Sequence, residues 1–195
     1  MDAFLGWLQE TVVATTIRDS LLLFPLLESI HVFGLALVVG TAVVIDLRLL
    51  GVASTSRSFE RMASEIMKWT WAAFALTAVA GLLMFSTKAQ IYFHNVYFRA
   101  KILLLALAAL NALVFQRTVW RTVARWDTAR SAPALGKVVA TVSLAIWVGV
   151  VFAGRMIGFT TTRVTTPEPS EEINFEELLG LPGNTDSQPA VPEKK

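Results

Sequence analysis

The chain has 195 residues, of which 54% are hydrophobic and only 16% charged; its formal net charge is +2 and its mean hydropathy +0.57. A soluble domain carries nearer a quarter charged residues, so the deficit points to lipid as the solvent. Long apolar runs exclude a disordered chain, a coiled coil and a DNA-binding domain. The absence of cysteine excludes disulfides, thiol catalysis and cysteine-based metal sites.

In chain order, residues 1–19 come first. Phe4, Leu5, Leu8 and Val12 recur at helical spacing beside Trp7, which predicts an amphipathic segment lying on the membrane surface. Asp2 and the lack of an early basic cluster read as a mature N-terminus rather than a cleavable signal. Residues 20–163 then form a transmembrane domain. A span needs about 20 mainly apolar residues, and four segments qualify, at about 20–45, 69–88, 98–116 and 137–159. Each must be helical, because lipid offers no partner to an unpaired backbone group. The expected fold is therefore an all-α membrane protein, a four-helix bundle with short interfacial helices. Residues 56–68 read as a second interfacial piece, with Arg61 and Glu65 four apart and able to pair. Pro25 is expected to bend the first span.

The last segment, 164–195, differs sharply. Residues 1–163 hold 15 Lys/Arg and 8 Asp/Glu, whereas the tail holds 7 acids, 2 lysines and five of the seven prolines. That composition predicts a mostly disordered, acidic tail, with Ile173–Leu179 as a short candidate docking turn for a periplasmic or membrane partner.

Orientation follows from the Lys/Arg bias. Arg48, Arg57, Arg61 and Lys68 follow span one, and Arg117, Arg121, Arg125, Arg130 and Lys137 follow span three; only Lys88, Arg99 and Lys101 follow span two. The two rich loops are expected to be cytoplasmic, with both termini outside a bacterial inner membrane. Trp69, Trp71, Trp120 and Trp126 would form the inner aromatic belt, and Tyr92, Phe93, Tyr97 and Phe98 the outer one. Small-residue pairs (Ala108 with Ala112, Ala145 with Gly149, Gly154 with Gly158) suit close helix packing; a homo-oligomer is a further possible assembly.

Ionisable groups inside a span are costly, so each is a functional hypothesis. Glu28 and His31 share a face of span one, at depths of about 10 and about 15 Å if the helix enters lipid near Leu21. His94, Met84, Met156 and Arg155 fall on the same outer side. Imidazole and thioether suit copper, and also haem iron. His31, His94, Met84 and Met156 are therefore the candidate metal ligands, with Glu28, Arg155 and Lys101 as charge partners. Lys101 either snorkels outward or neutralises Glu28 or a cofactor carboxylate. Asp46, Arg48 and Asn111 read as structural polar groups, Arg48 anchoring the inner surface and Asp46 pairing between helices. The competing reading is that Glu28 merely fixes packing, by bonding His31 or Arg155. No phosphate loop, nucleophile elbow or zinc-protease helix is present, and the basic loops suit anionic lipid rather than nucleic acid.

Glu28-Ser29-Ile30-His31-Val32-Phe33-Gly34, Gly40 and Asp46-Leu47-Arg48-Leu49-Leu50-Gly51 resemble a bacterial integral-membrane family of unknown function. Trp69-x-Trp71, Gly81-Leu82-Leu83-x-Phe85, Asn95-x-x-Phe98-x-x-Lys101, Asn111, Ser143-Leu144-x-x-Trp147 and Gly154-Arg155 continue the pattern over about 15–160. More distantly, the layout is similar to CopD-type copper-resistance proteins and HemJ-type protoporphyrinogen oxidases. The first likeness implies His31 as a copper ligand, the second as an axial haem ligand. Glu28, the Asp46–Arg48 segment and the lack of a second intramembrane histidine depart from both. The leading expectation is an outer-half metal centre, copper or haem b, for metal handling or electron transfer. The alternatives are a cofactor-free accessory or anchoring subunit and a HemJ-like tetrapyrrole oxidase.

Overall fold

The computed structural model describes residues 1–53, 58–127 and 132–165, with side chains through Thr161. The tail 166–195, with its candidate docking turn, and Arg57 and Arg130 lie outside the described residues. The chain divides into one unit of Met1–Thr161 and a second of Thr162–Lys195. Eight α-helices occur among the described residues: α1 (Asp2–Gln9), α2 (Val12–Asp19), α3 (Leu23–Leu50), α4 (Phe59–Thr87), α5 (Ala89–His94), α6 (Val96–Arg117), α7 (Val123–Trp126) and α8 (Ala134–Thr165). Four of them, α3, α4, α6 (carried on through α7) and α8, contain stretches long and apolar enough to cross a membrane. The protein is thus an all-α membrane protein built on a four-helix bundle with short helices at its edges.

The elements follow the sequence with three instructive differences. Residues 59–68 are the first turns of α4 rather than a separate surface helix. No glycine or proline separates Lys68 from Trp69, so the backbone has no reason to break there. Pro25 is the third residue of α3. An amide there would lack an intrahelical partner anyway, so the ring costs no hydrogen bond and the helix runs on to Leu50. The N-terminal segment is two helices, because Thr11 stops α1 and caps α2, its Oγ1 accepting from the Ala14 amide at 3.4 Å.

Two antiparallel pairs make the bundle. In the first, α3 lies along α4: His31 meets Gly81, Gly34 meets Thr77, and Thr70 Oγ1 bonds Thr41 Oγ1 at 2.9 Å. Gly34 makes this approach feasible, since a Cβ there would collide with Thr77 Oγ1 and lie 3.3 Å from Ala73 O. In the second, α6 lies along α8. Asn95 Nδ2 donates to Thr160 Oγ1 at 2.8 Å, Lys101 lies over Gly154, Leu104 over Gly149, and Asn111 Nδ2 donates to Val139 O at 3.2 Å. By contrast, a Cβ on Gly158 would meet nothing within 4 Å.

The end of the bundle where α4 and α8 begin holds the densest apolar cluster. Phe59, fully buried, is surrounded by Phe115, Trp120 and Trp126 at ring separations of 6.1, 6.1 and 5.1 Å, with Leu49, Val119 and Val139 nearby. Trp126 is therefore core rather than belt. Trp69 and Trp71 are exposed, as a belt requires. At the opposite end Tyr92 and Phe98, both half-buried, stack on Phe85.

Asp127 closes the first end. It follows α7 yet serves α4: Oδ2 accepts from Ser58 Oγ at 2.7 Å and Oδ1 from the Glu60 amide at 2.8 Å. It is a cap supplied from a distant part of the chain, on the amides and positive dipole end of α4. The Ser58 hydroxyl and the α4 amides, with Arg48 adding a favourable charge, hold its carboxyl below the usual range. Arg48 itself is fully buried, with Nη2 donating to Asp127 O at 3.3 Å. It braces the α7 turn and is not the surface anchor expected from sequence. Asp46, also buried, accepts a hydrogen bond from Ser143 on α8, which is the interhelical pairing expected of it.

Replacing Asp127 with alanine should lower stability in detergent by about 0.5–2 kcal/mol, the range of a lost cap. The folded carboxyl titrates below the unfolded one, so its contribution is complete above about pH 4 and fades as pH falls through the depressed value. Thermal unfolding curves of wild type and Asp127→Ala should therefore differ at neutral pH, begin to approach each other near about pH 4 and converge only below the depressed value.

Candidate functional site

The opposite end of the bundle holds His31. Its imidazole occupies the space left by Gly81: a Cβ there would stand 2.8 Å from Cε1 and 3.1 Å from Nδ1. The missing side chain also uncovers the carbonyl of Thr77, one turn earlier on α4, and His31 Nδ1 lies 2.8 Å from that oxygen. A carbonyl only accepts, so the ring donates from Nδ1. The Thr77 hydroxyl is turned away, bonding Ala73 O at 2.8 Å.

With Nδ1 protonated, the reactive position of the neutral ring is Nε2. It faces Lys101 Nζ at 3.5 Å. Lys101 is delivered by the start of α6, where Asn95 Oδ1 caps the helix by accepting from the amides of Tyr97 and Phe98 at 2.9 and 3.2 Å. Its ammonium also lies beside Gly154 of α8, where an added Cβ would be 3.7 Å away, an ordinary contact. Among the described residues no carboxylate lies within 4 Å of Lys101. One imidazole and one cation thus meet where α3, α4, α6 and α8 converge.

The other sequence candidates fall around this pair rather than on it. Glu28 is exposed on α3. It makes no ion pair with Lys101 or Arg155 among the described residues. Tyr92, on α5, has its hydroxyl pushed up by burial and further by the negative charge of Glu28. His94 is exposed; its Nδ1 is 2.9 Å from Gln90 O and its Nε2 3.9 Å from Asp2 Oδ1, so its partners are α5 and α1 rather than His31. Arg155 places its guanidinium 4.7 Å above the Phe159 ring and is exposed. Met84 and Met156 are half-buried on α4 and α8, toward the same end as Gly81 and Gly154. Among the described residues, no group of three or more histidine or acidic side chains could hold a metal ion.

Thr77 went unnoticed in the sequence because its contribution is a backbone oxygen. The signal available was Gly81, a residue without a side chain in the middle of an apolar helix. Lys101 was recognised, but its partner is the imidazole, not Glu28.

Gly81→Ala should displace the imidazole and cost about 1–3 kcal/mol, as overpacking does. Gly40→Ala, where a Cβ meets nothing within 4 Å, should be neutral or stabilise by up to about 1 kcal/mol. Thermal unfolding of the two variants in the same detergent checks the contrast.

The model of a family of unknown function (DUF6644) covers residues 3–160. No curated protein and no solved structure matches the chain. The chain belongs to the DUF6644 family, and the His31–Lys101 pair lies within the matched segment.

Proposed function

We propose that the membrane domain carries a transition-metal group on His31, b-type haem ahead of copper, for electron transfer or metal handling. The observation that carries this reading is the 2.8 Å contact from His31 Nδ1 to Thr77 O. Histidines that ligate metals characteristically donate their other ring N–H to a carbonyl or carboxylate, which fixes the tautomer and raises ligand basicity. Haem is favoured because it brings its own equatorial nitrogens and asks the protein for one or two axial ligands. Copper would need two or more further donors, of which Met84 and Met156 are the thioether candidates. His31 would hold the iron; Lys101, lacking a carboxylate within 4 Å among the described residues, would swing on its four-carbon stem to meet the carboxylates of the group. The bound group would supply one-electron chemistry.

A second reading has its own support. Both ring nitrogens already have partners, Thr77 O and Lys101 Nζ. A pair so satisfied can hold α3, α4 and α6 together with no ligand, as in an accessory or anchoring subunit. For orientation, the excess of Lys and Arg at the Asp127 end supports a cytoplasmic placement of that end, with the His31 end and the termini outside.

Protein purified from membranes should show a Soret band and near-stoichiometric iron, or near-stoichiometric copper without the band. His31→Ala should abolish the signal, and Lys101→Met should weaken retention of haem while leaving its axial ligation spectrum recognisable. Wild-type protein that is folded, metal-free and unable to take up added haem or copper would overturn the metal reading and leave the accessory one. A Soret band with rescue of a haem-synthesis defect would extend the reading to a HemJ-like tetrapyrrole oxidase.

A further inference from the structure

At the Asp127 end, α4 and the α6–α7 connection enclose a groove of about 290 Å³. Met67, Trp71, Phe115 and Trp120 supply its apolar walls, and Lys68 and Gln116 its polar groups. The lining comes from α4 and the α6–α7 stretch alone. Lys68, Trp71 and Gln116 are exposed, so the groove opens sideways, away from the bundle core. Its depth is telling. Lys68 is the last charged residue before the long apolar part of α4, and Gln116 stands one residue from the end of α6. Indole rings and a lysine at such a boundary sit at the level of lipid headgroups.

We propose that this groove is a site for one anionic phospholipid. Its acyl chain would lie along the wall formed by Trp71 and Phe115, and its phosphate diester would meet the Lys68 ammonium and the Gln116 amide. Charge decides for an anionic lipid over a zwitterionic one. Around the groove, Arg117 and Arg121 adjoin its lining residues Gln116 and Trp120, and Arg125 and Lys137 are exposed at the same end. Among the described residues the exposed acids there are Glu60 and Glu65; Glu65 pairs with Arg61 at 3.5 Å, and the half-exposed Asp127 is taken up by Ser58 and the Glu60 amide. Lys68 makes no ion pair among the described residues. A basic pocket beside membrane helices with an apolar floor is the arrangement that retains acidic headgroups. The volume falls at the bottom of the range for small-molecule sites, which suits a headgroup and part of one chain rather than a bulky cofactor.

The test uses the full-length protein, delipidated in detergent and offered equal amounts of phosphatidylglycerol and phosphatidylcholine, with retained lipid counted by native mass spectrometry. Wild type should keep one phosphatidylglycerol in preference to phosphatidylcholine. Lys68→Gln should reduce that preference about fivefold, in line with one interfacial cation. Lys88→Gln, at the other end of α4, should leave it unchanged, and Trp71→Ala should lower retention of both lipids. Soluble glycerol phosphate should not compete, because it lacks the chain that fills the groove; competition would mark a free-phosphate site and overturn the lipid assignment. Equal retention of the two lipids, or an unaltered preference in Lys68→Gln, would also overturn it.

Discussion

The close passage of α3 against α4 governs the rest of the domain. Lipid cannot solvate a polar side chain, so an imidazole in the apolar part of a helix must find its partners on neighbouring helices. Gly34 lets the backbones approach, and Gly81 leaves both the volume for the ring and the open face of the Thr77 carbonyl. With α3 and α4 in this register, Nε2 of His31 points toward the place where α6 delivers Lys101. Shift either glycine, and the imidazole loses its seat before any question of ligand arises.

The two ends of the bundle solve the same problem differently. At one end, the Asp127 carboxylate ties Ser58 to the first amides of α4, its backbone carbonyl accepts from Arg48, and an aromatic cluster packs alongside. That end is held by side-chain to backbone hydrogen bonds between segments far apart in sequence. At the other end, Lys101 has an imidazole for company and no carboxylate within 4 Å among the described residues. The imidazole is held between the Thr77 carbonyl and the Lys101 ammonium, so that end rests on a single polar chain across three helices rather than on a web of caps.

The architecture was readable because the bilayer imposes it. Apolar length alone located four helices, but not all of their ends: α6 begins within two residues of expectation, at its Asn95 cap, whereas α3 runs on to Leu50 before Gly51 and α4 starts ten residues before the apolar run, at Phe59. What could not be read was rotation about each helix axis. Glu28 and His31 are three apart and share a face in outline, yet Glu28 is exposed while His31 is half-buried against α4. Pro25 looked like a kink because its place in the helix depends on where the helix starts, and that is set by Leu22 and Ser20 rather than by proline. Trp126 looked like a belt residue because a tryptophan near a basic loop is ambiguous until Phe59 is known to sit beneath it. Arg48 reads as a surface anchor for the same reason: the Asp127 carbonyl that accepts from it is far away in sequence.

The pairing of α3 with α4 and of α6 with α8 also bears on how the protein comes to exist in a membrane. Each hairpin has its own internal register and can enter the bilayer as a unit, in keeping with stepwise insertion followed by lateral association. The side chains that join one hairpin to the other include Lys101 to His31, Asp46 to Ser143 and Arg48 to the Asp127 carbonyl. Newly inserted hairpins would therefore recognise each other largely through polar groups that are expensive to leave facing acyl chains. Biogenesis and the candidate centre then draw on the same residues, and the step that completes the folded domain is also the step that brings imidazole and ammonium together.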